Sequence, residues 1–193
     1  MSNNTIEVQF KPKYPKAKKM VPLILTLLVI ILDQLTKFII VKNIPINTIG
    51  AQFFGDFLRI IHVSNPGIAF SIGHGWSLAA KAILFRAVPL VVLILVVCVY
   101  LRNDDFSQFQ RWAITGVVGG GFGNLIDRFF RAEGVVDFVD VKWFGIESSP
   151  LKFLRWERWP TFNVADMAVV VCGIMLIVSF AFTAKTKKAG EDE

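Results

Sequence analysis

The stretch GGGFGNLIDRFFR, Gly119 to Arg131, decides the fold. It ends an otherwise apolar segment with Asn124, Asp127 and Arg128 at i, i+3 and i+4, one face of a helical turn. In a membrane each of these groups is costly to bury, and such residues persist where they pair, face a bundle interior or do chemistry. The composition points to that setting. The chain has 193 residues, 54% hydrophobic and 19% charged, with a mean hydropathy of +0.55. An ordinary soluble domain of this length is less apolar.

Working outward, Val21–Val41 is a clear apolar run, and Ile83–Leu101 is a second. Trp112–Phe130 is a third, diluted by glycine and the polar cluster, and Phe162–Thr183 is a fourth. At about 20 residues per ~30 Å of hydrocarbon, four spans fit. The expected fold is therefore an all-α polytopic membrane protein of four transmembrane helices, with a small extracytoplasmic β-element at the membrane surface. Residues 20–184 form the membrane domain, with spans at about 21–41, 83–101, 112–130 and 162–183; 1–19 and 185–193 are tails. The first run carries Asp33 and Lys37 and is followed by no A-x-A-like site, so it reads as a retained span rather than a cleaved signal.

Lys11, Lys13, Lys16, Lys18 and Lys19 precede the first span, and Lys185, Lys187 and Lys188 follow the last. The positive-inside rule puts both termini in the cytoplasm, although the outer segment Lys142–Arg158 is also basic. The net charge of +6 is split between tails and loop, which fits anionic lipid headgroups and not nucleic acid. Cys98 and Cys172 fall within spans without a partner or ligand spacing and read as small buried hydrophobes.

FFGDFLRIIHVSN (Phe53–Asn65), bounded by Gly50 and the turn signal NPG, suggests sheet in the first outer segment. In the second, AEGVVDFVDVKWFGI reads as a strand, and Trp156 and Trp159 among arginines look like interfacial anchors. A rise of ~1.5 Å per residue from the cytoplasmic end places Asp33 ~18 Å deep, Lys37 ~24 Å, Asn124 ~18 Å and Asp127 ~22 Å. Asp166 lies ~6 Å below the outer surface. All fall in the outer half of the bilayer.

Asp33 and Lys37, at i and i+4, can pair, and this reads first as structural. Asp127 beside Arg128 reads the same way. Gly116/Gly120 and Gly119/Gly123 allow close helix approach. Asp137, in GVVDFVD, is open to reading as an exposed strand residue. Asp166 has no basic residue within a turn and is the strongest functional candidate. His62 and His74 lack metal-ligand spacing and a nucleophile motif, so no metal is expected. Carboxylate remains. Two close aspartates share a proton: the charged one activates water, and the protonated one polarises the scissile carbonyl and later protonates the leaving amine.

DQLTK (Asp33–Lys37), NPGIAF (Asn65–Phe70), GNLIDR (Gly123–Arg128), VVDF (Val135–Phe138) and FNVAD (Phe162–Asp166) together resemble the bacterial lipoprotein signal peptidase (signal peptidase II) family. The resemblance spans about Asp33 to Ile177. It implies an intramembrane aspartic endopeptidase without cofactor, cutting prolipoproteins before a diacylglyceryl-modified cysteine. It also implies the bacterial inner membrane, with an active site near the outer leaflet and membrane lipids as neighbours; a monomer is expected.

By resemblance the dyad maps to Asp137 and Asp166. Asn65, Asn124, Arg128 and Asn163 line or buttress the site, and Asp33, Lys37 and Asp127 support it. Two departures stand out. The segment KWFGIESSPLKFLRWERWP between VVDF and FNVAD is longer than the family pattern, and Gly121 stands where alanine is expected. The long segment is expected to alter access more than chemistry, and Gly121 packing at most. Asp127 rivals Asp137 for the dyad, but basic neighbours would hold it ionised. The competing class is a small transporter or assembly factor using buried Asp and Lys as a relay, which the nearly charge-free cytoplasmic half of the spans disfavours.

Overall fold

A computed structural model describes residues 16–66, 77–147 and 149–191. Lys11 and Lys13, Gly67–Phe70 of the NPGIAF motif and His74 lie outside the described residues, as do the side chains of Lys16 and of the lysines after the last span.

The end of the expected N-terminal tail forms a short helix, α1 (Lys16–Met20). Then come α2 (Leu23–Asn43), β1 (Thr48–Phe53), β2 (Leu58–Asn65) and α3 (Leu78–Ala82). A π-helical turn, Ile83–Ala87, runs into α4 (Val88–Arg102), followed by α5 (Gln108–Phe130), β3 (Val135–Val141) and α6 (Val164–Glu191).

Among the described residues three segments are long and apolar enough to cross a membrane: Lys18–Asn43, Ile83–Arg102 and Val164–Thr183, with mean hydropathies of 2.2, 2.7 and 2.4. α5 is not among them, although its 23 residues would extend ~35 Å. The reason is its position. α5 packs against α2, α4 and α6 and buries residues as polar as Arg111, Thr115 and Asp127. A helix that meets other helices rather than lipid can give its faces to glycine and polar groups.

The glycines are spent on that contact. Gly116 and Gly120 face α6, and Gly119 faces α2. A Cβ at Gly120 would overlap the carbonyl oxygen of Ala165, backbone that cannot swing aside. Gly121 faces Leu93 of α4, away from the polar residues, so its departure from the expected alanine touches packing alone.

α5 starts earlier than expected because Ser107 and Gln110 form a capping box. Near that end Arg111 is fully buried, lies 5.3 Å from the Tyr100 ring centroid and donates to the Asn103 carbonyl at 2.8 Å. Cys98 is exposed on the outside of the bundle, and Cys172 is half-buried against Gly116. The expectation of two buried cysteines thus fails for Cys98; an apolar surface in a membrane protein can face lipid.

The sheet is antiparallel in the order β1-β2-β3. FFGDFLRIIHVSN, expected to form sheet, spans the end of β1, a turn and β2. Phe54 to Phe57 form a turn, Gly50 lies within β1 at a register shift, and the hairpin pairs Thr48 with His62 and Phe53 with Leu58. Gly55 (φ +72°) suits that turn. The expected strand in VVDFVDV forms as β3 and pairs with β2.

The long segment after β3 returns on itself. Trp143 donates to Glu157 O (2.8 Å), Gly145 to Trp156 O (2.9 Å) and Ile146 to Leu154 O (2.7 Å). Arg158 Nε reaches both oxygens of Asp140 at 2.7 Å. Trp143 and Trp156 each pack on Trp159, at ring centroid distances of 4.6 and 5.9 Å. Trp156 and Trp159, expected as interfacial anchors, pack in a cluster with Trp143 while Trp159 stays 38% exposed, and Phe144, 63% exposed, projects further.

Candidate active site

The long loop does not separate its ends. Phe162 N donates to Val139 O (3.0 Å), and Val139 N to Phe162 O (2.8 Å), closing the excursion at its base. Asn163 and α6 therefore begin directly beside β3. This is why the extra length leaves Asp137 and Asp166 close to each other's partners.

Asn163 is fully buried and joins the two. Its Nδ2 donates to Asp137 Oδ1 (2.7 Å), to Asn124 Oδ1 (3.0 Å) and to Val136 O (3.3 Å). Its Oδ1 accepts from Asp166 N (2.9 Å), while its own N–H donates to Asp166 Oδ2 (3.1 Å). This reciprocal pair has the form of a capping box at the start of α6, so one motif both begins the helix and fixes Asp166. Asn124 Nδ2 donates to Asp166 Oδ1 at 2.7 Å. Asn65, at the end of β2, donates to Asp137 Oδ2 at 3.2 Å. Gly134, at φ +101°, turns the chain from α5 into β3, and a Cβ there would overlap Asn65 O.

A second polar group lies one layer deeper. Lys37 Nζ is 2.8 Å from Asp33 Oδ2, 2.9 Å from Asp127 Oδ2 and 3.0 Å from Asn124 Oδ1. The expected Asp33–Lys37 pair thus forms, with all three charged side chains fully buried. Asp33 Oδ1 also accepts from Ala165 N (3.0 Å), tying α2 to α6.

The expected Asp127–Arg128 pair does not form. Adjacent residues on a helix point about 100° apart, and Asp127 takes Arg131 Nε instead, at 2.9 Å and i+4. Arg131 and Gln34 are contributors the sequence reading passed over. Arg131 was findable from its i+4 spacing, and Gln34 donates to Asp33, Asp127 and Gly123 O at 3.0–3.2 Å.

Asp137 is 4% exposed and belongs to β3, outside the membrane-spanning helices. Burial, with the field of Asp166 added, pushes its carboxyl up from 3.8 to about 6, against the hydrogen bonds from Asn65 and Asn163. A carboxyl held this way can exchange a proton near neutral pH. Arg128 turns the other way and lines an open groove of about 500 Å³ with Phe85, Arg86, Arg131, Ala132 and Gly134. It donates to Phe85 O (3.4 Å), and its buried Nε has no hydrogen-bond partner among the described residues. Among the described residues no group of three or more His, Cys, Asp or Glu is placed to hold a metal ion. Two carboxyls bridged by amides beside an open groove are suited to activating water on a carbonyl.

Residues 25–182 match the family described as "Signal peptidase (SPase) II". The lipoprotein signal peptidase of Treponema pallidum is 47% identical over 163 residues, 84% of each chain. That of Treponema denticola is 45% identical over 171 residues, 89% of this chain and 94% of the relative. Two solved structures described as a bacterial membrane enzyme are each 28% identical to this chain. One has a TM-score of 0.66 and covers 83% of this chain and 92% of the other. The second has a TM-score of 0.69, with coverages of 86% and 91%. The family match covers most of the chain, and the apolar helices with a small sheet fit a membrane enzyme: the chain belongs to the signal peptidase II family and is an aspartic peptidase of the membrane.

Proposed function

We propose that this peptidase removes the signal peptide of prolipoproteins by cutting before a diacylglyceryl-modified cysteine, with Asp137 and Asp166 as its dyad. The observation that carries the reading is Asn163, whose side chain and backbone bond both carboxyls at once. One carboxylate takes a proton from water as the oxygen attacks the scissile carbonyl carbon. The protonated partner donates to the carbonyl oxygen; collapse of the tetrahedral species breaks the C–N bond, and the leaving amine takes up a proton. No covalent intermediate forms.

Four spans fit the bundle, with α5 as the helix enclosed by the other three. The lysine-rich ends then lie in the cytoplasm, and the sheet and dyad lie at the outer leaflet of the bacterial inner membrane. A substrate anchored by acyl chains can enter sideways at that depth. The groove beside Arg128 suits the peptide. The proposal requires neither a cofactor nor a second subunit.

The test is a gel-shift assay with purified enzyme and a diacylglyceryl-modified prolipoprotein. Wild type releases the signal peptide, while folded Asp166→Asn and Asp137→Asn do not. Cleavage by either variant at the wild-type rate removes that residue from the dyad.

A further inference from the structure

The two polar layers meet at one atom. Asn124 Oδ1 lies 3.0 Å from Lys37 Nζ, and an ammonium group has only donors. The atom facing Lys37 must therefore be the amide oxygen, which forces the NH2 end of Asn124 towards Asp166 Oδ1, 2.7 Å away. The same reasoning orients Asn163, whose oxygen must face the backbone N–H of Asp166. Lys37 has no freedom to do otherwise, since Asp33 and Asp127 hold it at 2.8 and 2.9 Å.

We propose that Lys37 is a positioning residue for the dyad: by fixing Asn124 as a donor to Asp166 it makes Asp166 the ionised, water-activating member and leaves the shared proton on Asp137. The inference rests on the dyad reading above. Both oxygens of Asp166 face N–H donors, one from Asn124 polarised by Lys37 and one from the backbone of Asn163. Asp166 also sits in the first turn of α6, where the helix dipole favours an anion. Among the described residues Asp137 has neutral side-chain amides as its donors, one of them at 3.2 Å.

The charged and titratable groups around Asp166 are Asp137 on β3, Arg128 and Asp127 on α5, and Lys37 and Asp33 on α2. Without Lys37 the Asn124 oxygen keeps only the neutral donor Asn163 Nδ2, at 3.0 Å, so its NH2 end is less polarised and is a weaker donor to Asp166. A base that is harder to ionise moves the acid limb of the pH–rate profile upward.

The experiment is a double-mutant cycle on the pH dependence of kcat/KM, with purified enzyme and the diacylglyceryl-modified prolipoprotein. One arm is Lys37→Met with Asp33→Asn, which removes one charge of each sign and leaves Asp127 its Arg131 partner at 2.9 Å. The other arm is Asn124→Leu, which leaves the ion cluster intact. Each arm is expected to lower kcat about tenfold at the wild-type optimum with KM little changed, and to move the acid limb up by about 1 in pH. The combination is expected to move it no further, because both arms break the same link.

A folded Lys37→Met/Asp33→Asn enzyme with the wild-type profile overturns the proposal, as do additive movements of the limb. If that double variant does not fold, Asn124→Leu decides: a moved limb supports the proposal and an unmoved one sinks it. Full activity in Asp166→Asn defeats the dyad reading itself, a separate outcome.

Discussion

Asp33 and Asp127 lie within a few ångströms of the groups that hold Asp137 and Asp166, yet the two pairs are built differently. Asp33 and Asp127 share an ammonium between them, and Asp127 has a guanidinium as well. Asp137 and Asp166 are bonded by amides and backbone N–H groups, with no cation in an ion pair among the described contacts. A buried carboxylate facing a cation has its charge matched and ties helices together. One facing neutral donors and a second carboxyl is left able to carry a proton. The same side chain is structural in one layer and suited to catalysis in the other, and its partners make the difference.

Substitutions separate the layers. The largest expected effect is loss of cleavage by about a thousandfold or more in Asp137→Asn and in Asp166→Asn, with folding retained, measured by signal-peptide release. Next, Lys37→Ala leaves two buried carboxylates short of a cation and costs about 3–5 kcal/mol. It should show as a fall in detergent-solubilised Tm, and an unchanged Tm would break the contrast between the layers.

Gly120→Val tests the helix contact that carries both layers. Its side chain would meet the Ala165 carbonyl and push α6 from α5, a cost of about 1–3 kcal/mol. Tm and cleavage should fall together.

Asp137 makes a prediction with a sign. Its raised value means that the folded chain binds its proton more tightly than the unfolded chain does. Its contribution to stability is therefore full below the usual carboxylate range and is lost as pH rises to about 6. Asp137→Asn removes that loss, so its Tm relative to wild type should be higher at pH 7 than at pH 4, by up to roughly 2–3 kcal/mol in stability. An equal effect at both pH values would contradict the burial argument. Smallest of all, Arg158→Ala at the distal base of the sheet should cost about 1 kcal/mol and leave cleavage unchanged, since it meets Asp140 and Asp56 and neither aspartate of the dyad.

Much of this was legible in the sequence because it is local. The i, i+4 spacing announced the Asp33–Lys37 pair, and the segment that forms β3 read as strand. The run FFGDFLRIIHVSN suggested sheet, and it forms part of one, with its turn at Phe54–Phe57. The G-x-x-x-G patterns announced close approach, and the polar residues were traced to a common depth from helical rise alone. What escaped depends on direction and on the third dimension. Asp127 was paired with its neighbour Arg128, although one step along a helix turns the side chain away, and Arg131 a turn later is the partner. The role of Asn163 as a bridge could not be read from FNVAD by spacing, because Asp137 reaches it only through the closure of Val139 on Phe162. That closure also explains why a long insertion leaves the site intact.

The most direct measurement sets Asp137→Asn beside Asp127→Asn in the prolipoprotein cleavage assay, with each variant's folded fraction measured in parallel. Asp137→Asn is expected to be folded and inactive. Asp127→Asn is expected to be less stable, with cleavage surviving in proportion to its folded fraction. Cleavage by folded Asp137→Asn, with none by folded Asp127→Asn, would exchange the two aspartates and contradict the account.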